Sequence, residues 1–242
     1  MSVAATVERI SELVGHRLPK LAIVLSTGLQ AVDGDIEIPS IFSYADLSGF
    51  PKTSVPSHLG RLLVGKLAGH SVALLESHDD YYASGRKDAM REPLAVAAGL
   101  GCDKVIITAT AHSLRPELSP GQLVLVTEHV SSPSEAAAYD AVMNERLRLA
   151  AERIETPLPT ATLAGADGPP QQADLMSRTL IPEASIARGL GLRVAALASV
   201  VGWAPNAAPA GVSPDLTRQH ADFAAMHLRR LLADYLEHGG AD

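Results

Sequence analysis

The short run Ala22-Ile23-Val24-Leu25, closed by a Gly28 turn, constrains this chain more than any other feature. An apolar run with no polar alternation offers no face to water, so as a strand it must be covered on both sides. Arg193 to Val200 has the same character, and Lys104 to Thr108 follows a helical segment through Gly101. Such strands alternating with helical segments predict a three-layer α/β/α fold. The helices are expected over about Ala4–Val14, Met90–Leu100, Glu135–Ile154 with Ser134 as N-cap, Ala184–Leu190, and Pro214–Glu237. Leu62–Leu67 and Ser71–Leu75 read as a hairpin across Ala68-Gly69-His70, and Leu123–Thr127 as a further strand. Trp203 to Ser213, rich in Pro and Ala, reads as a loop. With neither an internal repeat nor a clear linker, residues 1–242 are read as one domain.

Composition narrows the function. Hydrophobic residues make up 47% and aromatics only 4%, so the core must be aliphatic. A formal charge of -7 argues against a nucleic-acid backbone binder and against an anionic membrane surface. The single Cys102 excludes an internal disulfide framework and a multi-cysteine metal site, and it reads as a small buried residue. No basic segment leads into an apolar one at the N-terminus, and no apolar run reaches the roughly 18 residues of a membrane span. A soluble, cytoplasmic protein is expected.

The most informative segment for function is Ser54-Val55-Pro56-Ser57-His58-Leu59-Gly60-Arg61, a histidine in a Pro- and Gly-punctuated loop between strands. Loops at strand ends are where α/β folds build their sites. Leu25-Ser26-Thr27-Gly28-Leu29 ends the first strand, and Val105 to Ala111 (Val-Ile-Ile-Thr-Ala-Thr-Ala) ends a central one. Met176-Ser177 precedes Ile181-Pro182-Glu183-Ala184. In this order the segments resemble the trimeric purine nucleoside and methylthioadenosine phosphorylase family along most of the chain.

That resemblance implies cleavage of an N-glycosidic bond through an oxocarbenium-like sugar, with phosphate as co-substrate and no organic cofactor or metal. Such chemistry rests on positioning and fixed electrostatics. It implies Thr27, His58, Thr110 (through its backbone amide) and Ser177 at phosphate, with Tyr82, Met176 and His220 at the sugar. The family's Gly-Arg-Phe-His motif is matched by Ser77-His78-Asp79-Asp80, and its Asn-Ala-Ala-Gly-Gly by Ala109-Thr110-Ala111-His112-Ser113. Replacing a fixed cation by histidine and adding carboxylates weakens a dianion site. Two readings stay open: His78, His112 or Arg115 restores the positive charge, or Asp80 and its neighbours activate water instead. Solvated loop residues of a silent site are the bland alternative.

The base-reading side is also altered. The family's Gly-Pro-x-Phe-Glu-Thr becomes Gly168-Pro169-Pro170-Gln171-Gln172-Ala173, placing Gln172 at the glutamate. A neutral amide offers both donor and acceptor. The family's second base-reading residue, an asparagine, falls at Gly202 by simple counting or at Asn206 after a small insertion. Trp203 either stacks on a flat ligand or caps the pocket. After Val130 the family's long loop is reduced to Ser131-Ser132-Pro133-Ser134. The resemblance thus implies a homotrimeric phosphorylase-like fold with a central mixed sheet, acting on a nucleoside-like substrate. A phosphate-independent enzyme and a silent binding subunit are the alternatives.

Overall fold

The computed structural model describes residues 2–15, 18–26, 28–51, 60–76, 89–130, 139–165, 172–204 and 214–240. The chain runs α1 (Val3–Val14), β1 (Leu21–Leu25), β2 (Glu37–Ser43), β3 (Arg61–Leu67), β4 (His70–Glu76) and α2 (Arg91–Gly99). It continues with β5 (Lys104–Ser113), β6 (Leu123–Val130), α3 (Ala141–Arg153), β7 (Thr160–Ala164) and β8 (Leu175–Met176). The last elements are α4 (Leu180–Gly189), β9 (Arg193–Trp203) and α5 (Pro214–Tyr235).

All five residues of β1 are buried, as an unbroken apolar strand requires. Successive side chains take opposite faces of the sheet. Ala22 and Val24 pack with α1, α2 and α4, through Ile10, Leu94 and Ala184 among others. Leu21, Ile23 and Leu25 pack with α3 and α5, through Leu147, Leu228 and Leu232. Helices on both faces of a mixed sheet make the expected three layers. Each fully buried leucine or isoleucine here contributes about 1.5–3 kcal/mol relative to an exposed one.

The strands follow the order β2-β3-β4-β1-β5-β8-β7-β6-β9, and β5 also pairs with β9. The second half of the sheet therefore closes on itself through β5, β8, β7, β6 and β9. Along β4, β1, β5 and β9 every neighbouring pair is parallel, so these four strands end along one edge.

The hairpin of β3 and β4 forms as expected. Its two-residue turn has positive φ at Ala68 (47°) and Gly69 (78°), the geometry that matches strand twist. The largest correction concerns α3, which starts at Ala141 rather than Glu135. Asp140, in extended geometry, accepts from the Met143 amide at 2.8 Å and caps the helix. Ser134, expected to cap it, lies outside the described residues. Helix α4 begins earlier than expected, at Leu180, because Pro182 is tolerated in a first turn whose N–H groups have no helical partner. Strands β5, β6 and β9 run on past the expected ends, and Trp203 closes β9 instead of opening a loop. Strands β2, β7 and β8 had no sequence signal; β8, only two residues long, exists through its pairing with β5 and β7.

Gly65 shows how tightly the edge strands approach. A Cβ there would lie 2.9 Å from the Glu37 carbonyl and would drive into the Ile36 side chain. Overpacking of this kind costs about 1–3 kcal/mol. Gly65→Ala is expected to lower the unfolding free energy by that amount, seen as a lower urea midpoint with an unchanged slope in equilibrium unfolding.

Candidate active site

The site follows from how β5 shares its edges. One edge pairs with β9 along the strand, from Lys104↔Arg193 to Ser113↔Trp203. The other pairs first with β1, up to Ile107↔Val24, and then with β8, from His112↔Met176. Between them, Thr108 to Ala111 has no strand partner on that edge among the described residues. An unpaired strand edge must find hydrogen bonds elsewhere, and here the surrounding groups are polar. Of eight buried polar or charged residues described, Thr108 lies on this stretch and Ser199 is in register with Thr110 on β9, while Glu76, Ser113 and Ser177 lie at or just past the ends of β4, β5 and β8.

The near wall is the turn after β1. The Thr108 hydroxyl donates to the Val24 carbonyl at 2.8 Å and accepts from the Ser26 amide at 2.9 Å. Gly28, with φ of 87°, donates its amide to Gln30 Oε1 at 2.7 Å. The turn is thereby tied to β5 before any ligand arrives. The far wall is β8. Met176 lies half-buried beside His112, and Ser177 is buried with its amide on the Ala164 carbonyl at 3.1 Å. Thr110 and His112, two residues apart, are both exposed, while Ala109 and Ala111, before and between them, are buried.

Glu76 ends β4, in register with Leu25. Its carboxylate is fully buried: Oε2 accepts from Arg61 at 2.7 Å, whereas Oε1 has no partner among the described residues. Arg61 also reaches Asp33 at 2.8 Å. Burial raises the Glu76 carboxyl above its ordinary value, more than the Arg61 hydrogen bond and charge lower it; Asp33 raises it further. Cys102 is also buried, and burial pushes its thiol up to about 12, so it is no nucleophile.

His220, at the start of α5, is half-buried against the turn before β6. A Cβ on Gly121 would stand 3.4–3.5 Å from its Cα, Cβ and Cδ2, and its Nδ1 is buried with no partner among the described residues. Gly121 donates its amide to the Val200 carbonyl at 2.8 Å, which sets His220 beside the end of β9. Gln172 is exposed just before β8. Arg115 pairs with Asp174, whose other oxygen accepts from the Thr162 amide. Trp203 lies half-buried, its indole N–H unpartnered among the described residues. Thr27, His58, His78, Asp79, Asp80, Tyr82 and Asn206 lie outside the described residues. Among the described residues no group of three or more His, Cys, Asp or Glu could hold a metal, and no helix is long and apolar enough to cross a membrane. Sequence reasoning passed over Glu76 and Thr108; the signal available was a polar residue ending each apolar run.

A family model described as the phosphorylase superfamily matches residues 20–237, and the chain belongs to that superfamily. It is similar to purine nucleoside phosphorylase 1 of Bacillus subtilis (strain 168), at 24% identity over 80% of this chain and 84% of that one. It is also similar to the purine nucleoside phosphorylase of Rattus norvegicus, at 25% over 78% and 77%. Among solved structures, schistosomal purine nucleoside phosphorylase in complex with hypoxanthine superposes with a TM-score of 0.84. Identity there is 19%, covering 97% of this chain and 96% of that one, which establishes the shared fold.

Thr108→Val keeps the shape but removes both hydroxyl bonds. It is expected to destabilise the protein by about 1–3 kcal/mol in denaturant unfolding, since the buried Val24 carbonyl and the half-buried Ser26 amide lose this partner. For Glu76 the folded value lies above the unfolded one, so its contribution is complete at low pH and is lost as pH rises through the folded value. The stability of wild type relative to Glu76→Gln is therefore expected to fall as pH rises above the ordinary glutamate value of about 4, read by paired urea titrations.

Proposed function

We propose that this chain transfers the glycosyl group of a nucleoside to phosphate, releasing free base and a sugar 1-phosphate. The observation that carries the reading is the interrupted edge of β5, where pairing with β1 stops at Val24↔Ile107 and pairing with β8 starts at Met176↔His112, with Thr110 between them. Thr110 lies on that stretch, and Met176 and Ser177 lie at the end of β8 that borders it, which supports the reading. The family match and the purine nucleoside phosphorylases among its relatives supply the reaction class.

In this reading a phosphate oxygen bonds to C1′ as the C1′–N bond breaks, and the electron pair leaves with the base. The proton lost by hydrogen phosphate on forming the ester balances the proton the base takes up. Thr27, His58, Thr110 and Ser177 hold the acceptor. Tyr82, Met176 and His220 hold the sugar, and Gln172 and Asn206 read the base. By motif, His78 takes the place of the family's arginine and Asp80 that of its histidine. The rate gain comes from fixing acceptor and sugar in line and from donors aimed at developing charge. A homotrimer is the assembly this reading implies.

A specific observation favours a second reading. The strand that leads into His78, Asp79 and Asp80 ends in a buried carboxylate, Glu76, with one oxygen unpartnered among the described residues. Carboxylates suit activation of water better than retention of a dianion.

A panel of purine, pyrimidine and 5′-modified nucleosides, incubated with and without phosphate and followed by mass spectrometry, separates the readings. A sugar 1-phosphate formed only with phosphate is expected. Free base formed equally without phosphate would replace phosphorolysis by hydrolysis. No turnover of any member would overturn both and leave a binding subunit on this fold.

A further inference from the structure

Along the strand-end edge, β5 carries an imidazole where its neighbour carries no side chain. His112 is in register with Met176 on β8 and with Gly202 on β9. Residues in register on neighbouring strands project to the same face. Met176, His112 and the bare Cα of Gly202 therefore form one row. A Cβ on Gly202 would stand 3.6 Å from His112 Cδ2 and 4.0 Å from Nε2, so the imidazole lies over the glycine. The pairing also jumps here: Ala111 faces Val200 but His112 faces Gly202, leaving Val201 as an extra residue. Bulges of this kind bend a strand and re-aim its side chains.

His112 is exposed on the side that Thr110 faces, and it makes no hydrogen bond or ion pair with a described residue. Nothing described turns its nitrogens away from the gap. The two exchanges are complementary. At Gly202, one of the two candidate positions for the family's base-reading asparagine, β9 has lost an amide, and opposite it β5 has gained a ring.

We propose that His112 is the hydrogen-bond donor to the base in this site, taking a heteroaromatic base through a ring-nitrogen acceptor. This rests on the glycosyl-transfer reading above. A neutral imidazole carries one N–H and one acceptor nitrogen, and as imidazolium it carries two donors. Either form supplies a donor to the negative charge that the base gains as the C1′–N bond breaks. The strand, rather than a loop, fixes its position.

The test measures binding of hypoxanthine, adenine and uracil to wild type, His112→Ala and His112→Gln by calorimetry. It then compares kcat/KM for the nucleoside of the tightest-bound base. His112→Ala is expected to lower kcat/KM about 10²-fold and to weaken base binding about 10-fold, with the phosphate KM and the melting temperature unchanged. His112→Gln, which restores an amide donor, is expected to recover part of both. In NMR spectra, the imidazole resonance absent from His112→Ala should shift when base is added to wild type. Equal base affinity and turnover in wild type and His112→Ala would overturn the assignment, as would an equal loss for base and phosphate. A wild type that neither binds a base nor turns over a nucleoside would overturn the glycosyl-transfer reading itself.

Discussion

The organisation of this molecule depends on β5 having two partners in succession on one edge. Backbone groups buried in a sheet must be paired, and a strand that loses its neighbour midway needs a second one or a polar substitute. Here β1 leaves after Ile107 and β8 arrives at His112, and at the start of the stretch between them the Thr108 hydroxyl ties β5 to the Val24 carbonyl and the Ser26 amide. The same change of partner closes the ring of β5, β8, β7, β6 and β9. The opening in the sheet and the closure of the ring are one event, so the site is built into the core.

Electrostatics gives this opening its particular character. Its described polar lining consists of uncharged hydroxyls, one buried carboxylate and histidines, while two nearby guanidinium groups are committed. Arg61 is divided between Glu76 and Asp33, and Arg115 is held by Asp174. In the proposed phosphorolysis, exchanging a fixed cation for histidine would move the burden of holding phosphate onto backbone amides and hydroxyls, which are directional but carry no net charge. A site of this kind discriminates by geometry more than by charge.

Legibility from sequence varied with how local the cause was. The fully buried β1 and the β3–β4 hairpin were readable because their signals, an unbroken apolar run and a turn with Gly69, lie within a few residues. The start of α3 was misjudged because Glu135 to Ala138 favour a helix on composition, whereas Asp140 provides the actual cap. Strand β8 was invisible, since two residues carry no period. In the site, Thr110, Met176 and Ser177 could be singled out from motifs, and the fold brings them together across β5 and β8. Thr108 and Glu76 were missed because each looks like the ordinary polar end of an apolar run, and only burial marks them out.

Taken alone, the order of apolar runs, helix signals and Gly turns determined a three-layer α/β fold, because burying uninterrupted strands on both faces leaves few other solutions. The same residues in the same order determined kinship with the phosphorylases. Tertiary structure decided what no local pattern contains: which strands share an edge, where that edge is left open, and which side chains meet there. His112 and Gly202 are 90 residues apart and carry no mutual signal in sequence, yet the bulge at Val201 sets one over the other. Register between distant strands is a property of the whole sheet, and a single residue of slip would have turned that imidazole to the opposite face.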